Sequence, residues 1–328
     1  MEILDFLVPF GSAMLGAVAQ GILWGIMALG VFITFKILDF ADMTVDGSFA
    51  LGGCTCAVLI VNGWDPLLAS LVATCAGAFA GMLTGLLTTK LKIPGILAGI
   101  LIMLALYSIN LHILGGPNQP LQRTQKSIPD FFTNLFNLKQ AFPFNASSIS
   151  SLITGLIFTV ILIFALYWFF GTEIGCAIRS TGNNKKMSRA QGINTDWIQI
   201  LALMIANALV ALSGALVMQQ QRFGDVSMGI GTIVIGLASI IIGEVIFGKH
   251  FGFWWDLLSV VFGSIIYRII IAIVLQLGMK SQDLKLLSAI IVTIALSVPV
   301  LKKKVAKSKK RKAGKNLTEL NVQEKNQD

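Results

Sequence analysis

What most constrains this chain is a succession of apolar runs, each long enough to cross about 30 Å of hydrocarbon at about 1.5 Å per helical residue. A window of roughly 20 residues places nine of them, at about 11–36, 47–62, 66–88, 94–115, 150–170, 197–218, 232–248, 253–277 and 285–301. They follow one another too closely to form separate soluble cores. With 55% hydrophobic residues against 12% charged and a mean hydropathy of +0.80, too little polar surface remains to coat a water-soluble globule. Backbone in hydrocarbon must satisfy its own hydrogen bonds, which leaves helices or closed barrels, and runs of this length select helices. The expected fold is an all-α polytopic membrane protein of about nine transmembrane helices, with one membrane domain over residues 1–301.

Basic residues orient the runs. Lys90 and Lys92, then Arg179, Lys185, Lys186 and Arg189, then Lys249, and finally the tail fall on one side of a nine-span arrangement, which makes that side and the C-terminus cytoplasmic. The N-terminus and the segment 116–149 are then outside, against the minor dissent of Arg123, Lys126 and Lys139. Pro117, Pro120, Pro129 and Pro143 make that segment a structured loop. Within it Pro129-Asp-Phe-Phe-Thr-Asn-Leu-Phe reads as a short helix with an aromatic face, for the membrane interface or for an external partner. The net charge of +9 is concentrated in residues 302–328, where ten Lys/Arg face three acids. Such a tail is expected to stay unfolded and hold to anionic lipid, not to read nucleic acid. Cys54 and Cys56 point to different faces of a helix, and Cys75 and Cys176 stand alone, so no disulfide or metal site is expected. Met1, Glu2 and Asp5 lack the basic start of a signal peptide, so the first run is expected to remain in the mature protein.

The sequence echoes itself at an offset of 183 residues. Asp42-Met-Thr-Val-Asp46-Gly-Ser48 aligns with Asp225-Val-Ser-Met-Gly229-Ile-Gly231; upstream and without a gap, Phe40 meets Phe223, Gly30 meets Ser213, and Ala28-Leu29 meets Ala211-Leu212. Leu97-Ala-Gly-Ile pairs more weakly with Leu287-Ser-Ala-Ile. One segment leaves an inward-running helix and the other an outward-running one, the arrangement of an inverted repeat, so four spans, a linking span and four inverted spans account for all nine. An acid at the bilayer centre costs about 2.5–3.5 kcal/mol, and Asp39, Asp42 and Asp46 stand close together. They are expected at an interface or lining a wet cavity beside an interrupted helix. Asp42, Thr44, Asp46, Ser48, Asp225 and Ser227 are therefore the candidate path residues. The plainer role for the same groups is capping, by Asp42 or Thr44 at the second span and by Asp225 or Ser227 at the seventh. Arg268, well inside the eighth span, is expected to snorkel or to pair with Glu244. His112 and His250 have no evident partners and are assigned no role.

The loop 171–194 is long, basic and rich in small residues. Asn183 or Asn184 can cap a short helix there, and Ala190 and Gly192 allow another backbone to approach. Its stretch Arg179-Ser-Thr-Gly-Asn-Asn, followed by Met187-Ser-Arg-Ala-Gln-Gly-Ile-Asn, resembles the coupling loop of ABC import permeases of the branched-chain amino acid and ribose type. Asp42-Met-Thr-Val-Asp-Gly-Ser resembles the Asp-Leu-Ser-Val-Gly-Ser segment that those permeases carry after an inward-running helix. The Asp46-Gly47 pair and Leu97-Ala-Gly-Ile-Leu-Ile-Met-Leu-Ala-Leu-Tyr-Ser-Ile-Asn look closest to a subgroup associated with aromatic amino acids. The resemblance covers about residues 10–300.

It implies a permease subunit in a bacterial plasma membrane, moving an amino acid or a related small solute by alternating access. Its partners would be an ABC ATPase subunit that uses ATP and Mg, an extracellular solute-binding protein and a second, identical permease copy. Gly182, Asn183, Asn184, Met187, Arg189, Ala190 and Gly192 would engage the ATPase. The chain has no Gly-x-x-x-x-Gly-Lys-Ser/Thr loop and so no means of its own to hydrolyse ATP, and it is not expected to be an enzyme. The rival is a self-sufficient ion- or proton-coupled secondary transporter using Asp39, Asp42, Asp46, Glu244 and Arg268.

Overall fold

The computed structural model describes residues 2–122, 124–138, 146–248, 252–279 and 286–293, with Asp283 and Ser297. The basic tail, Lys249 and His250, Arg123, Lys139 and Pro143 lie outside the described residues.

Apolar runs fold into helices in the order α1 (Glu2–Phe32, continued by a wider π-turn at Ile33–Ile37), α2 (Thr44–Val61), α3 (Pro66–Thr89), α4 (Gly95–Leu114), α5 (Ile128–Leu135), α6 (Ala146–Phe170), α7 (Glu173–Asn183), α8 (Lys185–Ala190), α9 (Thr195–Gln221), α10 (Thr232–Phe247) and α11 (Phe253–Gln276). Two short strands, β1 (Asn118–Pro120) and β2 (Phe223–Asp225), pair antiparallel. Among the described residues seven helices are long and apolar enough to cross a membrane: α1 to α4, α6, α9 and α11. The run expected at 232–248 is present as α10, but at 16 residues it falls short of a full span. Of the ninth expected span, residues 286–293 are helical, and the rest apart from Ser297 lies outside the described residues.

The interior is built around α1, α2 and α9. α1 and α9 cross antiparallel at close range: Ser213 Oγ donates to the Leu23 carbonyl at 2.7 Å, and a methyl group at Gly30 would meet the Ala206 carbonyl oxygen at 2.6 Å. Each contact maps onto the other when 183 residues separate the equivalent positions. α3 seats on α9 along a ladder of small residues four apart, Gly77, Gly81 and Gly85, where any side chain would strike the α9 backbone. Ser264, 183 residues after Gly81, holds α11 against α1 by donating to the Gly21 carbonyl at 2.8 Å. Small side chains let backbones touch, and in lipid such packing replaces the hydrophobic drive that water would supply. Helices α3, α4, α6 and α11 turn large apolar side chains outward, among them Phe79, Leu104, Phe164, Trp168 and Phe262.

After α9 the chain reverses at Arg222, which adopts a left-handed φ of 60°, passes through β2, and runs along the flank of α2 before α10 begins. A methyl at Gly229 would lie 1.9 Å from the Asp46 carbonyl oxygen, so this segment lies directly on the first turn of α2. α5, expected on the membrane interface or against a partner, is pinned to the bundle. A reciprocal cap joins Ser127 and Asp130, the Ile128 N–H donates to Gln219 Oε1 at 2.9 Å, and Arg222 forms an ion pair with Asp130. Phe132 packs inward while Phe131, Leu135 and Phe136 stay exposed.

Candidate functional site

Of the sequence-derived path residues, the structure joins Asp42, Thr44 and Ser48 in one buried network. Asp42 Oδ1 accepts the Thr44 N–H at 2.9 Å and Oδ2 accepts from Asn207 Nδ2 at 2.7 Å. Ser48 Oγ donates to Asn207 Oδ1 at 2.7 Å, and the Thr44 and Thr84 hydroxyls lie 2.7 Å apart. The network ties α2 to α3 and α9, and Asp42 serves the first free N–H of α2, the capping role anticipated for it. Asn207, its central member, escaped the sequence reading because a lone Asn in an apolar run gives no pattern.

The seventh-span cap departs from expectation. Asp225 Oδ1 accepts from the Ser227 N–H and hydroxyl, both at 2.7 Å, closing a local turn that stops short of α10. Asp46, from α2, caps α10 instead: Oδ2 accepts the Gly231 N–H at 2.9 Å, and Oδ1 accepts the Thr232 hydroxyl at 2.8 Å and the Ile233 N–H at 2.9 Å. Gly231 holds a left-handed φ of 88° and has no side chain to offer, so the orphan donors at the start of α10 take a carboxylate from the neighbouring helix. The two echoing segments therefore meet.

Glu244 likewise has another partner than the one expected. It accepts from Lys36 Nζ at 2.9 and 3.1 Å, while the Arg268 guanidinium lies 3.9 Å above the Trp24 ring. Trp24 in turn packs on Phe49 at 5.0 Å.

The basic loop is ordered as two short helices. Asn184 separates them and caps the second, its Oδ1 accepting the Met187 N–H at 3.0 Å. Arg189 fastens α8 to the start of α9 through Thr195 Oγ1 at 2.7 Å and Asp196 at 2.6 Å. Burial lowers the Lys185 ammonium below the usual lysine value, and its Nζ donates to Gln199 Oε1 at 2.7 Å. Asn183, Met187, Ala190 and Gly192 are exposed, with open space around Gly192. Gly182 differs from them: a methyl there would lie 1.9 Å from the Ile37 carbonyl oxygen, so it seats the loop against the π-turn that ends α1. Arg179 stacks 3.9 Å above Phe253 beside the same turn.

The model for the branched-chain amino acid transport system permease component matches residues 13–297. The tyrosine transport system permease protein of Clostridioides difficile (strain R20291) is 41% identical over 286 residues, covering 87% of this chain and 91% of that one. An uncharacterized protein of Rickettsia prowazekii is 31% identical over 87% of this chain and 97% of its own length. The autoinducer 2 import system permease protein of Yersinia pseudotuberculosis is 28% identical over 67% of this chain and 58% of that one. A match across nearly the whole membrane domain displaces the secondary-transporter alternative and places ATP hydrolysis in separate subunits. The chain belongs to the branched-chain amino acid transport system permease family, as the membrane-spanning subunit of an ABC importer.

Proposed function

We propose that this subunit carries an α-amino acid with an aromatic side chain inward, as one of two identical copies served by two ATPase subunits and an external solute-binding protein. The observation that carries this reading is the 41% identity with a tyrosine permease over 91% of that protein. In this scheme the end bearing α7 and α8 is cytoplasmic. The exposed Asn183, Met187, Ala190 and Gly192 meet the ATPase, Asn184 and Arg189 hold the two short helices in shape, and Gly182 passes their movement to the end of α1.

The chain is organised as two inverted repeats, residues from α1 to α4 answering those from α9 onward. The reciprocal contacts Ser213 to Leu23 and Gly30 to Ala206 support this arrangement, as an axis passing between α1 and α9 would generate both. The junction where Asp46 caps α10 is then a seam between the repeats. Asp42, Thr44, Asp46, Ser48, Asp225 and Ser227 line or brace the path there, and movement of one repeat on the other alternately exposes it.

The test is uptake of radiolabelled L-tyrosine into cells making this chain with the ATPase and binding protein encoded beside it. Uptake is expected to require the ATPase and to be competed by L-phenylalanine well before L-leucine. Competition led by L-leucine overturns the aromatic assignment, and uptake that persists without the ATPase overturns the coupling.

A further inference from the structure

One cavity of the bundle matches an amino acid more closely than the sequence motifs do. At the end of the molecule away from α7 and α8, a space of about 840 Å³ opens between α1, α6, α9 and α11. Its lining is polar for its surroundings, with Gln20, Ser151, Gln220, Gln276 and the guanidinium of Arg268 among the wall residues. Through Gln220 and Ser151 it adjoins a second cavity of about 820 Å³ under α5, beside the Arg222–Asp130 ion pair.

Two atoms at the first cavity lack partners. Arg268 Nε is buried with no hydrogen bond, and so is Gln220 Oε1, a donor and an acceptor on two residues that line the cavity. Among the described residues no carboxylate forms an ion pair with Arg268. A cation within a spanning helix is expensive and is retained where it has a function, and a buried donor left unmade costs about 1–3 kcal/mol. The ring of Trp24 lies 3.9 Å from the guanidinium carbon and restrains the group, while a guanidinium presents its N–H fork in one plane, the geometry that grips a carboxylate through two parallel hydrogen bonds.

We propose that this cavity is the solute site of the permease, in which Arg268 binds the carboxylate and Gln220 Oε1 accepts from the ammonium of a zwitterionic α-amino acid. The proposal deepens the amino acid reading above and rests on it for the class of cargo. Trp24 positions Arg268.

The experiment uses the full permease assembled with its ATPase in lipid nanodiscs, treated with phenylglyoxal, with modification of Arg268 read by peptide mass spectrometry. Arg268 is expected to react, and L-tyrosine at about ten times its Kd to slow the reaction about tenfold, as occupancy of the site predicts. Tyramine, which has no carboxylate, is expected to leave it unchanged. Replacing the acceptor, Gln220→Leu, is expected to weaken protection by L-tyrosine and not by 3-(4-hydroxyphenyl)propionate, which has no ammonium. An unreactive Arg268, or protection by tyramine equal to that by L-tyrosine, overturns the proposal. Protection by L-leucine but not by L-tyrosine upholds the carboxylate site and overturns the aromatic assignment.

Discussion

The residue that holds most together is Asp46. Three donors of Gly231, Thr232 and Ile233 converge on its carboxylate, and none has an intrahelical alternative at the start of α10. Asp46→Ala is expected to destabilise the purified protein by about 1–3 kcal/mol, read as a lower thermal midpoint in detergent. It is also expected to reduce uptake by more than the loss of folded protein explains. Ser227→Ala removes only a bond within its own turn and is expected to lower the thermal midpoint by much less. Equal effects of the two would return Asp46 to the rank of an ordinary surface acid. Sequence reading grouped Asp46 with the path residues and assigned the α10 cap to Asp225 or Ser227, because capping rules look a few residues along the chain. The true acceptor is 185 residues away from Gly231 and became a neighbour only through the packing of α2 on the returning segment. Arg268 has the same history. Glu244 was the acid read as its possible partner, yet Lys36 at the end of α1 is the partner Glu244 takes.

At the scale of elements, hydropathy located α2, α3, α4, α6, α9, α10 and α11 to within a few residues, and the end of α1 but not its start at Glu2, since lipid exposes the apolar surface that water would force inward. It could not tell a full span from α10, which matches the run at 232–248 but, begun at left-handed Gly231, has only 16 residues. Nor could it divide the loop 171–194 into two helices, although Asn184 was read as one of two capping residues. Gly192, one of the small residues there, has a φ of 83°, which strains any side chain and confounds a steric test. Ala190 sits at the end of α8, exposed and helical. Ala190→Trp is expected to accumulate normally in the membrane and to lower affinity for the ATPase by about tenfold to a hundredfold, the effect of overpacking a close contact, measured by co-purification. Normal ATPase recovery would move the docking surface elsewhere.

For the whole molecule, the contacts fix how the spans run relative to one another and leave one choice, which end faces the cytoplasm. α1, α6 and α10 run one way and α9 and α11 the other, because Ser213 meets Leu23 while Gly30 meets Ala206, and Glu244 meets Lys36 near the ends of α10 and α1. α5 and the β1–β2 pair therefore share one end, and α7 with α8 occupy the opposite one. Lys185, Lys186 and Arg189 bias the α8 end toward the cytoplasm. The α5 end carries the Arg222–Asp130 pair beside the cavities, where an external binding protein would deliver cargo. Topology is thus decided by two positions. In a background with exposed Cys75 and Cys176 replaced by serine, a cysteine at exposed Asn134 on α5 is expected to react with an impermeant maleimide in intact cells, and one at exposed Lys186 on α8 only after the membrane is opened. The reverse pattern would invert the bundle, put the coupling helices outside, beyond reach of any ATPase, and remove the importer mechanism with them. Labelling at both positions in intact cells would mean that the helices do not span at all.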